Sequence, residues 1–260
     1  MVYSVPVDIL PAAVSLLGVH IDPVTAEAAQ DRILSMLSEA GKRHVVTPNN
    51  EMLVEASHNA EFRDVLNNAA LRLPDSTGLL IAARMSGQEF PSRVPGVDCV
   101  EQVCTRLDSG HGVFFLGGRE GVGGRASEIL KKKNPDLRVA GVYEGSPSQA
   151  ECDAIIAKIN ASGAHLLLVA FGAPAQDLWI AETLLRLTTV RVAMGVGGTF
   201  DFIAGRIRRA PKLLRVLGLE WLWRLVLQPK RIGRIWNAVV VFPLLVLRWG
   251  REAPRAFITL

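Results

Sequence analysis

Val113-Phe114-Phe115-Leu116-Gly117-Gly118-Arg119-Glu120-Gly121-Val122-Gly123-Gly124 decides the fold class. Its four leading apolar residues read as a short strand buried on both faces. The glycines that follow mark a tight turn. A helical pattern then runs over residues 122–133. A strand that passes through a glycine loop into a helix is the start of a βαβ unit. The same alternation extends in both directions. Upstream, residues 16–21, 45–47 and 71–73 read as strands, the last two ended by Pro48 and Pro74. Downstream, residues 137–142, 166–170 and 190–194 do so. Between them, Ala26, Ala29, Ile33 and Leu37 recur at helical spacing. Residues 51–68 read as a helix broken near His58-Asn59, and further helical stretches lie near 149–161 and 175–187. This pattern predicts an α/β fold: a Rossmann-like, mostly parallel sheet with helices on both faces. The sequence contains no internal repeat and no low-complexity linker.

The chain has 260 residues, 49% of them apolar, with 29 Lys+Arg against 25 Asp+Glu. That composition excludes disorder, and the small net charge argues against a general nucleic-acid binder. Three cysteines, Cys99, Cys104 and Cys152, give neither a disulfide framework nor zinc spacing, so they read as reduced thiols. Residues 1–10 carry Asp8 and no basic n-region, unlike a signal peptide. Charge is unevenly placed. Residues 206–260 hold 12 basic and 2 acidic side chains, leaving 17 basic and 23 acidic in residues 1–205. Trp221, Trp223, Trp236 and Trp249 fall in the same tail. The expected division is therefore an α/β body, 1–205, and a basic, Trp-rich helical appendage, 206–260. Such a tail suits a membrane interface; a helical cap packed on the body has the same composition. Its longest apolar run, residues 235–247, is interrupted by Asn237 and Pro243. As a helix that run would span about 20 Å, short of the ~30 Å hydrocarbon core.

Ligands of open α/β sheets bind beyond the carboxyl ends of the strands. Five loops in that position are rich in glycine or polar residues. They begin at Thr47-Pro48-Asn49, Pro74-Asp75-Ser76, Gly117-Gly118, Phe171-Gly172-Ala173 and Gly195-Val196-Gly197-Gly198. Together they suit a phosphorylated or nucleotide ligand. Gly117–Gly124 would let backbone N–H groups approach a phosphate at a helix N-terminus, or would simply form a tight turn. It is neither a Walker A loop nor a regular dinucleotide fingerprint. Asp75 would serve as a helix N-cap or as a general base; spacing alone favours the cap. The five histidines, His20, His44, His58, His111 and His165, form no metal motif, and there is no Asp-x-Asp. A diphosphate would then have to be met by arginines and backbone dipoles.

These loops, in order, resemble the WecG/TagA/CpsF glycosyltransferases. The resemblance rests on Thr47-Pro48-Asn49, Leu73-Pro74-Asp75, the Arg93–Asp98 segment Arg-Val-Pro-Gly-Val-Asp and Phe115-Leu116-Gly117-Gly118. It continues through Gly172-Ala173-Pro174-Ala175-Gln176, the Gly195–Asp201 segment, Arg209-Ala210-Pro211, Leu219-Glu220-Trp221, Arg224 and Pro229-Lys230-Arg231. Two departures stand out: Asp177 where the family usually has Glu, and Ser76 where a glycine often follows the aspartate.

The resemblance implies a GT-E-like fold and an inverting, metal-independent hexosyl transfer. The donor would be a UDP-sugar, with N-acetylmannosamine first and glucose or N-acetylmannosaminuronic acid as alternatives. The acceptor would be a polyprenyl-diphosphate-linked sugar of the GlcNAc-diphospho-undecaprenol type. The product would serve a teichoic acid or another surface polysaccharide, made at the inner face of the plasma membrane. At the catalytic centre Asp75 would be the base, with Thr47, Asn49 and Gln176 hydrogen-bonding the sugar. Gly117, Gly118, Gly172, Gly197 and Gly198 would receive the UDP. Arg93, Arg209, Arg224 and Arg231 would meet diphosphate groups. Asp201 reads as a brace for its glycine loop rather than a ligand contact. Trp221, Leu225, Leu214 and Leu217 form one apolar helical stripe, equally suited to the body or to lipid. No metal, cofactor or nucleic acid is expected, and self-association is. Two other classes share the composition: a nucleotide-dependent oxidoreductase, which should carry an acidic ribose ligand, and a non-catalytic membrane-associated scaffold.

Overall fold

The computed structural model describes residues 12–254; the reading of residues 1–10 lies outside them. The chain opens with a small hairpin, β1 (Val14–Leu16) and β2 (Val19–Ile21), paired antiparallel. The sequence pattern suggested one strand over 16–21. It is two because Leu17 and Gly18 both take positive φ, 52° and 75°, the conformation of a two-residue hairpin turn. The hairpin stands apart from the main sheet.

The main sheet contains β3 (Arg43–Val46), β4 (Leu71–Arg72), β5 (Val113–Gly117), β6 (Val139–Tyr143), β7 (Leu166–Ala170) and β8 (Val192–Gly195). All pairings are parallel, in the order β4-β3-β8-β7-β5-β6. Side chains alternate between two apolar layers, as period-2 strand geometry requires. Val45, Val113, Phe115, Leu166, Leu168, Val192 and Met194 join one core with α1 (Ala26–Ser38), α5 (Gly96–Arg106), α6 (Val122–Lys133) and α9 (Thr199–Ile203). Phe114, Leu116, Leu167, Val169 and Ala193 face the other way, against α7 (Gln149–Ser162) and α8 (Ala175–Thr183). Val46 points into a third cluster with α2 (Asn50–His58), α3 (Ala60–Asn67) and α4 (Thr77–Met85). This is the α/β sheet covered on both faces that the pattern predicts.

Beyond residue 206 the chain is helical: α10 (Lys212–Val216), α11 (Glu220–Leu227), α12 (Ile232–Trp236) and α13 (Phe242–Trp249). Asn237 and Pro243 do not break the last stretch. Helix continues from Pro229 to Trp249, 21 residues, long and apolar enough in composition to cross a membrane. Pro243 gives no N–H to the preceding turn, and residues Asn237–Val241 widen into a π segment. One side of this helix is anchored: Ile235, Phe242 and Val246 are buried, and Phe242 and Val246 join the α2–α4 cluster. Its other side exposes Ile232, Trp236, Leu244 and Leu247. The end is pinned by Leu17 N–H to Gly250 O and Gly18 N–H to Arg251 O, both at 3.0 Å.

Candidate active site

A cleft of about 320 Å³ opens at the carboxyl ends of β4, β3, β8 and β7, and α11 and α12 roof it. Eleven of the thirteen residues anticipated from the sequence line it. Thr47 and Asn49 come from the loop after β3, Asp75 from that after β4, Gly172 and Gln176 from that after β7, and Gly197 and Gly198 from that after β8. Arg93 precedes α5, and Arg209, Arg224 and Arg231 come from the C-terminal helical segment. Gly117 and Gly118 are not among the lining residues. Gly117 ends β5 and Gly118 follows it, and β5 lies on the far side of β7 from the cleft. A Cβ at Gly117 would meet the Ala170 backbone at 2.8 Å, and one at Gly118 the Val122 side chain at 2.6 Å. Close strand packing and positive φ, 90° and 76°, therefore account for both glycines.

Asp75 does not cap α4, the helix that follows it. Ser76 caps α4, accepting from Leu79 N–H. Asp75 Oδ1 instead accepts from Gly96 N–H at 3.0 Å, at the start of α5. Burial raises its pKa to about 6, against the opposing pull of that N–H and of Arg93, while Glu220 adds to the rise. A carboxylate held near pH 6 in a cleft is suited to accept a proton.

Thr47, Asn49, Gln176, Arg93 and Arg209 already have partners inside the protein. Asn49 Oδ1 caps α2 through Met52 N–H. Thr47 Oγ1 donates to Gly195 O at 3.5 Å. Gln176 Oε1 accepts from Gly172 N–H at 3.1 Å and Gly197 N–H at 2.9 Å, tying two loops together. Arg93 pairs with Glu220 of α11, and Arg209 with Asp98 of α5. Asp201 lies outside the cleft lining, and its carboxylate holds Arg206 at 3.5 Å rather than the glycine loop.

The C-terminal arginines are the least neutralised part of the site. Glu51 holds Arg234 at 2.6 Å and Arg231 at 3.7 Å. Arg224 lies with its guanidinium 5.1 Å from the centre of the Phe202 ring. The buried Nε atoms of Arg224 and Arg231 have no hydrogen-bond partner among the described residues. Burial, together with Arg224 and Arg234, pushes Arg231 down to about 10, and burial also lowers Arg224. In all, six arginines line the cleft (Arg93, Arg208, Arg209, Arg224, Arg231 and Arg234) against three carboxylates (Glu51, Asp75 and Glu220). A cleft with that surplus is built for a polyanion. Arg234 and Glu51 were given no role from sequence, and Glu220 appeared only within the Leu219-Glu220-Trp221 motif. Arg234 had a signal: it sits three residues after Arg231, on the same face of one helical turn.

The family model described as Glycosyl transferase WecG/TagA/CpsF family matches residues 14–256, nearly the whole chain and every element of the cleft.

Proposed function

The chain belongs to this WecG/TagA/CpsF glycosyltransferase family, and on that premise we propose that it moves a sugar from a UDP-sugar to a polyprenyl-diphosphate-linked sugar with inversion. N-acetylmannosamine is the first candidate for the sugar, and a GlcNAc-diphospho-undecaprenol type of lipid for the acceptor. The observation that carries this reading is the arginine surplus beside one tuned carboxylate. A diphosphate supplies the negative charge by which three lining carboxylates fall short of six arginines, and the forked guanidinium groups match its oxygens.

In this mechanism the acceptor hydroxyl gives its proton to Asp75 while its oxygen attacks the anomeric carbon. The bond from that carbon to the diphosphate oxygen breaks, and UDP leaves with the electron pair toward Arg224 and Arg231. A single displacement needs one base and no covalent intermediate. The developing charge on UDP is met by fixed cations, so metal independence belongs to the same proposal. The division into a body, 1–205, and an appendage, 206–260, belongs to it as well. In that division the appendage completes the cleft and meets the inner face of the plasma membrane through Trp236, Leu244, Leu247 and their basic neighbours.

Calorimetric titration with UDP tests the anion site. Binding is expected to weaken at least tenfold in Arg231→Ala and in Arg224→Ala. A wild-type protein that binds no UDP would overturn the assignment.

A further inference from the structure

Behind the cleft, outside its lining, lies a buried Asp–His pair that the transfer mechanism does not use. Asp177 is 0% exposed, and His44, on β3, is 8% exposed. Asp177 Oδ1 and His44 Nε2 lie 3.4 Å apart, a close charge contact, and neither atom has a hydrogen-bond partner among the described residues. The second carboxylate oxygen, Oδ2, accepts from Gln176 Nε2 at 3.3 Å. That bond uses the nitrogen end of the Gln176 carboxamide. The oxygen end faces Gly172 N–H and Gly197 N–H.

A carboxamide can flip, but here only one orientation works. Reversed, its NH₂ would face two N–H donors and its oxygen would face a carboxylate. An ionised carboxylate accepts only, so it fixes the flip from behind. The space for this arrangement is made by Gly195 at the end of β8. A Cβ there would lie 2.3 Å from Asp177 Oδ1 and 2.6 Å from Gln176 Nε2. Gly195 does not have positive φ, so its lack of a side chain serves packing, not backbone conformation.

We propose that His44 and Asp177 are positioning residues. They orient Gln176 as a staple between the loops after β7 and β8, and so fix the width of the cleft between Gly172 and Gly197. In this assignment Gln176 Oε1 acts on the protein's own backbone, and its two acceptor sites are already filled.

The first test does not depend on the reaction. Hydrogen exchange at the Gly172 and Gly197 amides should be slow in the wild type. It should rise at least tenfold in Asp177→Leu and in Gly195→Ala, while the β7 and β8 core amides keep their protection. Asp177→Asn retains an acceptor for Gln176 Nε2 and should keep both glycine amides protected. Unchanged exchange at these two amides in Asp177→Leu would overturn the proposal. If Asp177→Leu does not fold, His44→Phe and His44→Gln read the pair from the other side. Phe should loosen the two amides and Gln, which keeps a polar group beside Asp177, should not; equal exchange in both would overturn it. The second test rests on the transferase reading. Loosened loops should raise the donor KM about tenfold with kcat within about twofold. A purely structural role would lower kcat, through a smaller folded fraction, at unchanged KM. Altered exchange without any turnover in the wild type would leave the staple standing and count against the transferase reading alone.

Discussion

Asp75 serves two demands that conflict. As a base it must ionise, yet its surroundings favour the neutral acid, with burial the largest cause. Its pKa of about 6 means that proton acceptance is available above that pH and lost below it. The kcat/KM profile is therefore expected to fall on its acid side with an apparent pKa near 6. Asp75→Asn should cut turnover by about 10²–10⁴. The same change should make the protein more stable at pH 7.5. A carboxyl whose folded pKa lies above its unfolded value of about 3.9 destabilises the fold once ionised. That cost is absent below pH 4, grows between pH 4 and pH 6, and is complete above. Because Asp75 is partly solvent-accessible, the gain is expected to be only ~1–2 kcal/mol. It should shrink as the pH falls toward 4, as thermal melts of both proteins across pH would show. The position of Asp75 was legible in the sequence, from Pro74 and the strand before it. That Ser76 rather than Asp75 caps α4 was not, because both are good caps and only the backbone geometry chooses between them.

At the scale of elements, the Gly117–Gly124 loop and the Pro229–Trp249 helix show how far local pattern reaches. The glycines were readable as a strand-to-helix turn, and that is what their backbone angles require. Their place relative to the cleft depended on strand order, which periodicity does not encode; β7 separates β5 from the cleft-forming strands. Gly118→Ala should cost ~1–3 kcal/mol, since it strains a φ of 76° and drives a methyl into Val122. Denaturant unfolding would measure it. The long helix was hidden by its own proline. Pro243 reads as a stop, but anchoring of Phe242 and Val246 against the body carries the helix past it. Phe242→Ala should cost ~3–5 kcal/mol. It should also speed proteolytic cleavage within residues 229–249 before the sheet unfolds. Cleavage only together with global unfolding would show that this helix is no separate unit.

For the whole molecule, the sequence asymmetry has a three-dimensional counterpart. The basic tail folds back over the mouth of the sheet and forms ion pairs with residues more than 120 positions away, as Glu220–Arg93 and Arg234–Glu51 do. The tail's excess charge is therefore directed in two ways: Arg224, Arg231 and Arg234 into the cleft, and Arg248 beside the exposed Leu244 and Leu247. Composition foretold the excess but not this sorting, which depends on the helix face each arginine occupies. If the outer face meets lipid, sedimentation with anionic vesicles should fall sharply in Leu244→Glu/Leu247→Glu while UDP binding is retained. Equal sedimentation would remove the membrane role of that face. The central claim is transfer by Asp75 and arginines, and acceptor-dependent UDP release measures it most directly. Purified protein would be given a panel of UDP-sugars and a short-chain prenyl-diphosphate-GlcNAc acceptor in EDTA. The account predicts release with one donor that requires the acceptor, survives EDTA and is lost in Asp75→Asn. Release that continues undiminished in Asp75→Asn would contradict it.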